Sequence, residues 1–526
     1  MSLSDAPRPP LPTAVAALLM LLAGLGHALS MAWPFAAFGL EGQSLPALQL
    51  LAMGTAVAVL ERCDSRRQAG ALAWLFATSM LASTFWWLYI SMHVYGGLAA
   101  PLAALAVLAL SAALGLYYAM AGALYQRWRP AALAGRALLW AGLWLAAELA
   151  RVVILTGFPW GQSGYAHVDG WARPLAGWIG VHGLSWLSAA VAAALALWLW
   201  PAQGRRRPWP ALGLAAASVA LAWLPPAAQT QALRPPLALT LVQGNIAQDE
   251  KFIPGSGVAQ ALAFYAQALE SADTDLVVLP ETAIPVLPSQ LDAAYWDALT
   301  APFTQGHKAA LLGLPLGSFE QGYTNSVIGI KPGATQAYRY DKHHLVPFGE
   351  FIPPLFRWFV ELMNIPLGDF NRGAVGQPSF EWQGERLAPN ICYEDLFGEE
   401  LGARFADAAS APTVFVNLSN IGWFGDTVAI DQHLQISRMR ALEFGRPMVR
   451  ATNTGATVVI DAQGQVSHAL ARHTRGTLVA QVQGTEGLTV YARLVSSAGL
   501  LPWYGLAALS IVLAAWLRRR GGAALA

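Results

Sequence analysis

The sequence predicts a polytopic α-helical membrane domain with eight spans, joined to an α/β domain that lies outside the membrane. Hydrophobic residues make up 55% of the 526 residues and charged residues only 12%, against roughly 45–50% and 25% in soluble domains. Long apolar runs crowd the first 225 residues, whereas the region from about 237 to 490 has ordinary polarity and short strand-like runs. The net charge of +1 argues against a nucleic-acid partner.

The membrane domain is predicted from eight apolar runs, most of them close to the 20 or so residues that a spanning helix needs. The first run is not followed by a small-residue cleavage pattern, so we expect it to be retained as a span. The runs at 44–60 and 209–225 are short. The eight lie near 11–30, 44–60, 69–92, 96–125, 134–154, 172–201, 209–225 and 495–517.

Arginine distribution predicts the orientation of these spans, because basic short loops stay in the cytoplasm. The loops 31–43, 93–95 and 155–171 contain no Lys or Arg. The alternate loops and the C-terminal tail carry Arg62, Arg66, Arg67, Arg127, Arg129, Arg136, Arg205, Arg206, Arg207, Arg518, Arg519 and Arg520. We therefore expect both termini in the cytoplasm of a bacterium and the large outer region in the periplasm, with the chain in the inner membrane.

This topology divides the chain into three parts. Residues 1–225 form a membrane domain of seven transmembrane helices, 226–494 form the periplasmic domain, and 495–526 form the eighth helix and a cytoplasmic tail. The outer domain alternates apolar strand-like runs with helical stretches, which is typical of a layered α/β domain. We predict strands within 237–246, 275–283, 308–317, 411–420 and 477–484, and helices near 257–272, 289–302 and 429–445.

Three residues at or near predicted strand ends carry groups suited to acyl transfer through a thioester. Cys392 supplies a thiol, Glu281 a carboxylate that can take its proton, and Lys342 a cation for the oxyanion that forms on attack. Only one other cysteine is present, and Cys63 is predicted to lie across the membrane, so the two cannot pair. By itself, Cys392 is equally well read as a buried inert thiol.

The sequence around these residues resembles a known superfamily. The segments "PETAIP", "YDKHHLVPFGEFIP" and "NICYEDLFGE" look like the three signatures of the nitrilase superfamily, in order. That resemblance implies an α-β-β-α sandwich with a Glu–Lys–Cys triad. A nitrilase-like domain inserted between the seventh and eighth of eight spans resembles the apolipoprotein N-acyltransferase family. Similar motifs continue in "VQGNI", "TGFPWGQSGY", "RMRALEFGRP" and "GLTVYAR".

The resemblance implies a role for each matching residue. Glu281 would be the general base, Lys342 the stabiliser of the oxyanion and Cys392 the nucleophile. Glu350, Tyr393 and Glu394 match supporting positions, and the Tyr393 N–H is expected to donate to the oxyanion. The positions expected to contact substrate are Asn325, Trp423, Trp358 and Phe359. One departure is "SNIGWFG", where the family commonly has "SNDAWFG".

The apolar stretch 351–370 favours a lipid substrate. Its aromatic and aliphatic side chains would form a large exposed patch in water, and insertion into the outer leaflet removes that cost. Because it begins directly after Glu350, we expect a lipid-facing lid over the triad. The alternative is a buried helix of the sandwich.

The family resemblance also implies partners. The donor would be a phospholipid and the acceptor the N-terminal cysteine of a diacylated apolipoprotein. We expect a monomer, with no cofactor and no metal, because the adjacent His343 and His344 lack a third ligand at metal spacing. Two alternatives remain open: a membrane-tethered amidase or nitrilase acting on a small amide, and a non-enzymatic membrane protein, such as a transporter, whose outer domain only binds.

Overall fold

The computed structural model describes residues 11–36, 39–199, 209–220, 223, 230–232, 234–353, 356–358 and 369–523. The chain forms two compact units. The helical unit comprises Met1–Trp86, Pro101–Ala227 and Leu500–Ala526, and the α/β unit comprises Trp87–Ala100 and Ala228–Gly499.

The helical unit consists of apolar helices, whose backbone hydrogen bonds form within each helix and so suit a membrane interior. In the described part of the chain, four are long and apolar enough to cross a membrane, or five if the bent pair Arg66–Phe85 and Leu88–Tyr95 is one span. The predicted count of eight therefore stays a prediction. The helices are Thr13–Leu29, Pro46–Leu60, Arg66–Phe85, Ala100–Trp128, Leu133–Val153, Ala176–Leu199, Trp209–Ala220 and Leu501–Ala523.

The segment Trp87–Ala100 belongs to the α/β unit, although its first residues fall within the span that the sequence predicts near 69–92. The preceding helix ends at Phe85, and a short helix, Leu88–Ile90, follows. Trp87 is buried, and its indole N–H donates to Gln432 Oε1 at 3.0 Å. Its ring also lies 4.3 Å from that of Phe424. These contacts within the α/β unit hold the segment there.

The α/β unit contains two six-stranded sheets. The strands are β1 (Leu237–Gln243), β2 (Leu276–Val278), β3 (Ala309–Ser318), β4 (Gly322–Ile330), β5 (Tyr338–Asp341), β6 (Phe380–Trp382), β7 (Glu385–Ile391), β8 (Val414–Ser419), β9 (Met448–Thr452), β10 (Val458–Ile460), β11 (Val466–Ala469) and β12 (Gly476–Val482). The first sheet has the order β12-β1-β2-β3-β4-β5 and the second β11-β10-β9-β8-β7-β6, with β1-β2-β3 and β7-β8-β9 parallel.

The two sheets pack face to face. One buried cluster joins both, including Leu239 and Val278 from the first sheet and Leu387 and Val416 from the second. The central strands are almost continuously apolar, as strands covered on both faces must be. Each predicted strand run overlaps an observed strand and matches its bounds to within a few residues, so the strand predictions are confirmed.

Helices cover the outer faces of this sandwich. Ala259–Ser271 and Ala293–Thr304 pack through a second buried cluster on the first sheet. Ala429–Phe444 covers the second sheet, where the rings of Phe444 and Phe415 lie 5.4 Å apart. A further helix, Val490–Ala498, follows β12. The predicted layered α/β arrangement and its three helices are therefore confirmed.

The predicted lipid-facing arm over 351–370 lies largely outside the described residues, Phe359 included. Trp358 is described, and 60% of its surface is exposed. Phe356 packs edge-on against Phe348, with ring centroids 5.5 Å apart.

Candidate active site

Glu281, Lys342 and Cys392 converge because three strands of the sandwich end near one another. Glu281 follows β2, Lys342 follows β5 directly, and Cys392 follows β7 directly. The Lys342 Nζ lies 3.3 Å from Glu281 Oε1. Both side chains are buried and the charges of both act on the Cys392 thiol, so the three form one electrostatic unit.

A second carboxylate completes the surroundings of Lys342. A carboxylate oxygen of Glu350 lies 2.9 Å from Lys342 Nζ. The Asn325 amide donates to Glu281 Oε1 at 2.8 Å and to Glu350 Oε1 at 2.7 Å. Two carboxylates are thus held beside one ammonium, with both amide protons of Asn325 shared between them. The structure places Asn325 as a bridge between acids, a position that the sequence did not predict.

The electrostatics leave the resting site with a charged base and a protonated thiol. Burial acts to raise the pKa of Glu281, but the charge of Lys342 and the hydrogen bond from Asn325 outweigh it and hold the pKa below its usual range. Burial and the Glu281 charge raise the pKa of Cys392 to about 12. Burial would lower the pKa of Lys342, but Glu281 and Glu350 more than offset it, so this pKa is raised.

The backbone at Cys392 adopts a conformation that is uncommon for residues with a side chain. Its φ is +51°, in the left-handed region. The strand ends here and a 3₁₀ turn, Cys392–Leu396, begins. Sparsely populated backbone of this type clusters at functional sites.

Glu394 ties the nucleophile strand to the lysine strand. Its carboxylate accepts from the N–H of Ile391 at 2.7 Å, from the N–H of His343 at 2.7 Å and of His344 at 3.2 Å, and from the Tyr340 hydroxyl at 2.8 Å. Four donors converge on one buried carboxylate, which fixes the ends of β5 and β7 to each other.

The remaining predicted residues lie around this centre. Tyr393 is buried, and its ring packs against Phe397 at 5.3 Å. Trp423 is partly buried in the loop after β8, and its ring lies 5.8 Å from that of Tyr95. The predicted contacts of Trp423 and Trp358 with substrate stay predictions.

Lys251 is a site residue that the sequence analysis missed. It is 1% exposed, and its Nζ donates to the backbone oxygen of Glu281 at 3.1 Å. Burial lowers its pKa to about 7, against the opposing charges of Glu281 and Cys392. In the sequence Lys251 lies shortly after "VQGNI", one of the segments that resemble the family. That nearness was the one available signal, and it is weak because a lysine in a loop is usually solvated.

The loop after β8 lies against Glu281 and binds its second carboxylate oxygen. The Asn420 N–H donates to Glu281 Oε2 at 2.8 Å, and the Asn420 side chain donates to Gln248 at 2.9 Å. Ile421, at the position that departs from the family motif, is buried. Among the described residues no three His, Cys, Asp or Glu side chains converge as a metal ion requires.

Two family models match the two parts of the chain. The family model described as "Apolipoprotein N-acyltransferase N-terminal domain" matches residues 25–194, and the carbon-nitrogen hydrolase model matches residues 238–489. An amidase of the nitrilase superfamily from Nesterenkonia, a solved structure, is 18% identical with a TM-score of 0.36, covering 49% of this chain and 93% of its own.

Two curated relatives extend over nearly the whole chain. An apolipoprotein N-acyltransferase from Verminephrobacter eiseniae is 57% identical over 491 residues, covering 90% of this chain and 89% of its own. One from Bordetella bronchiseptica is 45% identical, covering 95% of this chain and 97% of its own. The chain therefore belongs to the apolipoprotein N-acyltransferase family, a group of membrane proteins within the carbon-nitrogen hydrolase superfamily.

Proposed function

We propose that this enzyme takes a fatty acyl chain from a membrane phospholipid, holds it as a thioester on Cys392, and passes it to the N-terminal diacylglyceryl-cysteine of apolipoproteins. Family membership establishes lipoprotein N-acylation in a membrane setting. The proposal adds the donor, the covalent intermediate and the residues. The observation that carries it is the convergence of Glu281, Lys342 and Cys392.

In the first half-reaction Glu281 takes the thiol proton while the Cys392 sulfur attacks the ester carbonyl carbon. The carbonyl electron pair moves to oxygen, and Lys342 with the Tyr393 N–H stabilises that oxyanion. Collapse re-forms the carbonyl and breaks the ester bond, and the leaving lysophospholipid oxygen takes the proton from Glu281. Because the resting thiol keeps its proton, removal by Glu281 must accompany the attack.

In the second half-reaction the α-amino group of the lipoprotein attacks the thioester. The same donors hold the oxyanion, Glu281 accepts a proton from the amine, and the Cys392 sulfur leaves and recovers it. This is a ping-pong mechanism. We assign Glu350 to hold Lys342 charged and Glu394 to hold the strand ends. We also assign Asn325 to orient Glu281, because its amide contacts that carboxylate directly.

We further propose the topology that the arginine loops predict. The chain is a monomer with eight spans in the bacterial inner membrane, both termini in the cytoplasm and the α/β unit in the periplasm. The boundaries proposed are 1–225, 226–494 and 495–526. Trp423, Trp358 and Phe359 are proposed as contacts of the lipid substrates. The exposed face of Trp358 supports such a contact, since an aromatic ring at a membrane surface replaces water by lipid.

The decisive experiment uses full-length protein and a phospholipid with a labelled acyl chain, without acceptor. We expect a labelled thioester that neutral hydroxylamine cleaves. Cys392→Ser should lose the hydroxylamine-sensitive label, and Cys63→Ser, the matched control, should keep it. Adding a diacylated lipopeptide with a free α-amine should then move the label to the peptide, whereas an N-acetylated peptide should leave it in place. If the wild-type protein takes up no label, the mechanism is ruled out.

A further inference from the structure

The backbone carbonyl of the proposed nucleophile is held by two side chains of the second sheet and its helix. His433 Nε2 lies 3.2 Å from the Cys392 carbonyl oxygen, and the Asn417 amide donates to the same oxygen at 3.3 Å. His433 belongs to the helix Ala429–Phe444 and Asn417 to β8. Since Cys392 has φ +51°, its backbone is not in a preferred conformation, and these contacts are available to hold it.

The tautomer of His433 follows from its contact with Arg450. Arg450 Nη2 lies 3.2 Å from His433 Nδ1, and a guanidinium can only donate. Nδ1 therefore accepts, and the ring proton is on Nε2. That Nε2–H is directed at the Cys392 carbonyl and at Asp395 Oδ1, which lies 2.9 Å away.

The support beneath His433 is itself buried and connected. Arg450 Nη1 lies 3.2 Å from Asp395 Oδ2, and the Ser437 hydroxyl contacts both Asp395 and Arg450. All four side chains are at most 1% exposed. Asp395 contacts one nitrogen of the imidazole and Arg450 the other, so this buried network holds the His433 ring in a single orientation.

The hydrogen bonds to the Cys392 carbonyl also orient the Tyr393 N–H, which belongs to the same peptide group. In a trans peptide the C=O and the following N–H point in opposite directions, and the described chain has no cis peptide bond. Donors gripping the Cys392 carbonyl therefore fix the direction of the Tyr393 N–H. Rotating this peptide would turn that N–H away and break both hydrogen bonds at once.

We infer that His433 is a positioning residue for the oxyanion site: its Nε2–H, with Asn417, locks the Cys392–Tyr393 peptide so that the Tyr393 N–H meets the oxyanion. The inference rests on the proposed function, since it takes Cys392 as nucleophile. It concerns both half-reactions, because in each one a nucleophile adds to a carbonyl carbon and the electron pair passes to oxygen. Collapse then expels an alkoxide in the first and the thiolate in the second.

Two substitutions of His433 separate positioning from folding. In His433→Asn the shorter side chain can still accept from Arg450 but ends short of the Cys392 carbonyl. In His433→Gln the longer amide reaches that carbonyl again. Both are made in full-length protein carrying Cys63→Ser, so that Cys392 is the remaining thiol. His468→Asn, an exposed histidine in β11, is the matched control.

Acyl transfer is compared with alkylation of Cys392 by iodoacetamide, which displaces iodide from a saturated carbon and builds no oxyanion. We expect His433→Asn to slow thioester formation and transfer to the lipopeptide by about a hundredfold each, as loss of an oxyanion donor does. Alkylation should keep the wild-type rate and pH profile. His433→Gln should restore at least part of the lost acyl transfer, and His468→Asn should behave as wild type.

Three results would overturn the inference: wild-type acyl transfer in His433→Asn, equal slowing of alkylation and acylation, or no recovery with glutamine. If His433→Asn does not fold, Asn417→Ser removes the second donor to the same carbonyl and is judged by the same comparison. A wild-type protein that forms no thioester would instead reject the proposed function, so the two failures are distinguishable.

Discussion

The Lys342 ammonium lies closer to Glu350 than to any other described acid, with a carboxylate oxygen at 2.9 Å. Both residues are buried, at 1% and 8% exposure. A buried ammonium needs compensation to stay charged. Glu350 supplies it and leaves the more distant carboxylate at 3.3 Å, Glu281, available as a base.

Replacing Glu350 by glutamine tests this division of labour. Glutamine keeps an oxygen that can accept from the Val346 N–H, now 2.9 Å from Glu350, but removes the charge. Lys342 would then draw on Glu281 alone and make it a weaker base. We expect thioester formation to slow by about a hundredfold, or roughly 2.7 kcal/mol of transition-state stabilisation. The rate is measured by quenching the labelling reaction at successive times. Glu381→Gln, which replaces an exposed acid, is the control. An unchanged rate in Glu350→Gln would contradict the assignment.

The raised pKa of Cys392, about 12, predicts an unusual pH profile for its alkylation. An ordinary cysteine has a pKa of about 8.5, so its thiolate fraction is half at that pH and levels off about one pH unit above it. The thiolate fraction of Cys392 should instead still rise about tenfold per pH unit between 8 and 10. Iodoacetamide labelling in Cys63→Ser protein measures it. A plateau below pH 9 would show that the thiol is already ionised at rest.

Lys251 should lower the stability of the fold in a pH-dependent way. Its pKa is about 7 when folded and about 10.5 when unfolded, so between these values the unfolded chain binds the extra proton. The penalty is fully present below pH 7 and disappears as pH rises towards 10.5.

Lys251→Met removes the titrating group and should therefore raise Tm more at pH 6 than at pH 9. One kcal/mol shifts Tm by roughly 2–4 °C in a domain of this size, so the difference should be several degrees. Thermal unfolding in detergent at both pH values measures it. Lys331→Met, on a partly exposed lysine, should show no such dependence. An equal Tm change at both pH values would mean that Lys251 titrates normally.

Glu394→Gln should loosen the strand ends that hold the site. One carboxylate oxygen of Glu394 accepts hydrogen bonds from the N–H groups of His343 and His344. The other accepts from the Ile391 N–H and the Tyr340 hydroxyl. A glutamine NH₂ in either position faces a backbone donor, so at least one bond is lost. We expect a loss of about 1.5–3 kcal/mol, typical of hydrogen bonds to a charged group.

Denaturant unfolding of Glu394→Gln against wild type measures this loss, with Glu381→Gln as the exposed control. Equal midpoints for Glu394→Gln and wild type would show that the four donors find other acceptors. Acyl transfer should fall in parallel, because Ile391 directly precedes the nucleophile.

Local patterns predicted much of the fold. Runs such as "LALTLVQ" and "TVFVNLS" are mostly apolar on both alternating faces, so they mark strands covered on both sides, and the structure places β1 and β8 there. The helix Ala429–Phe444 is likewise within a residue or two of its predicted bounds. Such patterns fail at the start of Trp87–Ala100, which the apolar run assigns to the end of a span near 69–92. The contacts that decide its place are those of Trp87 with Gln432 and Phe424, more than 300 residues away in the chain.

By itself the sequence determined the α/β layers, the apolar helices and, through resemblance to a family, the residues that would meet at the site. These depend on residues that are neighbours in the chain or on short motifs. Only the tertiary structure decided that Asn325 bridges two acids, that Lys251 lies buried against Glu281, and that His433 grips the nucleophile's carbonyl. Each is a hydrogen bond between elements distant in sequence, and its distance and direction arise only when the sheets and helices pack.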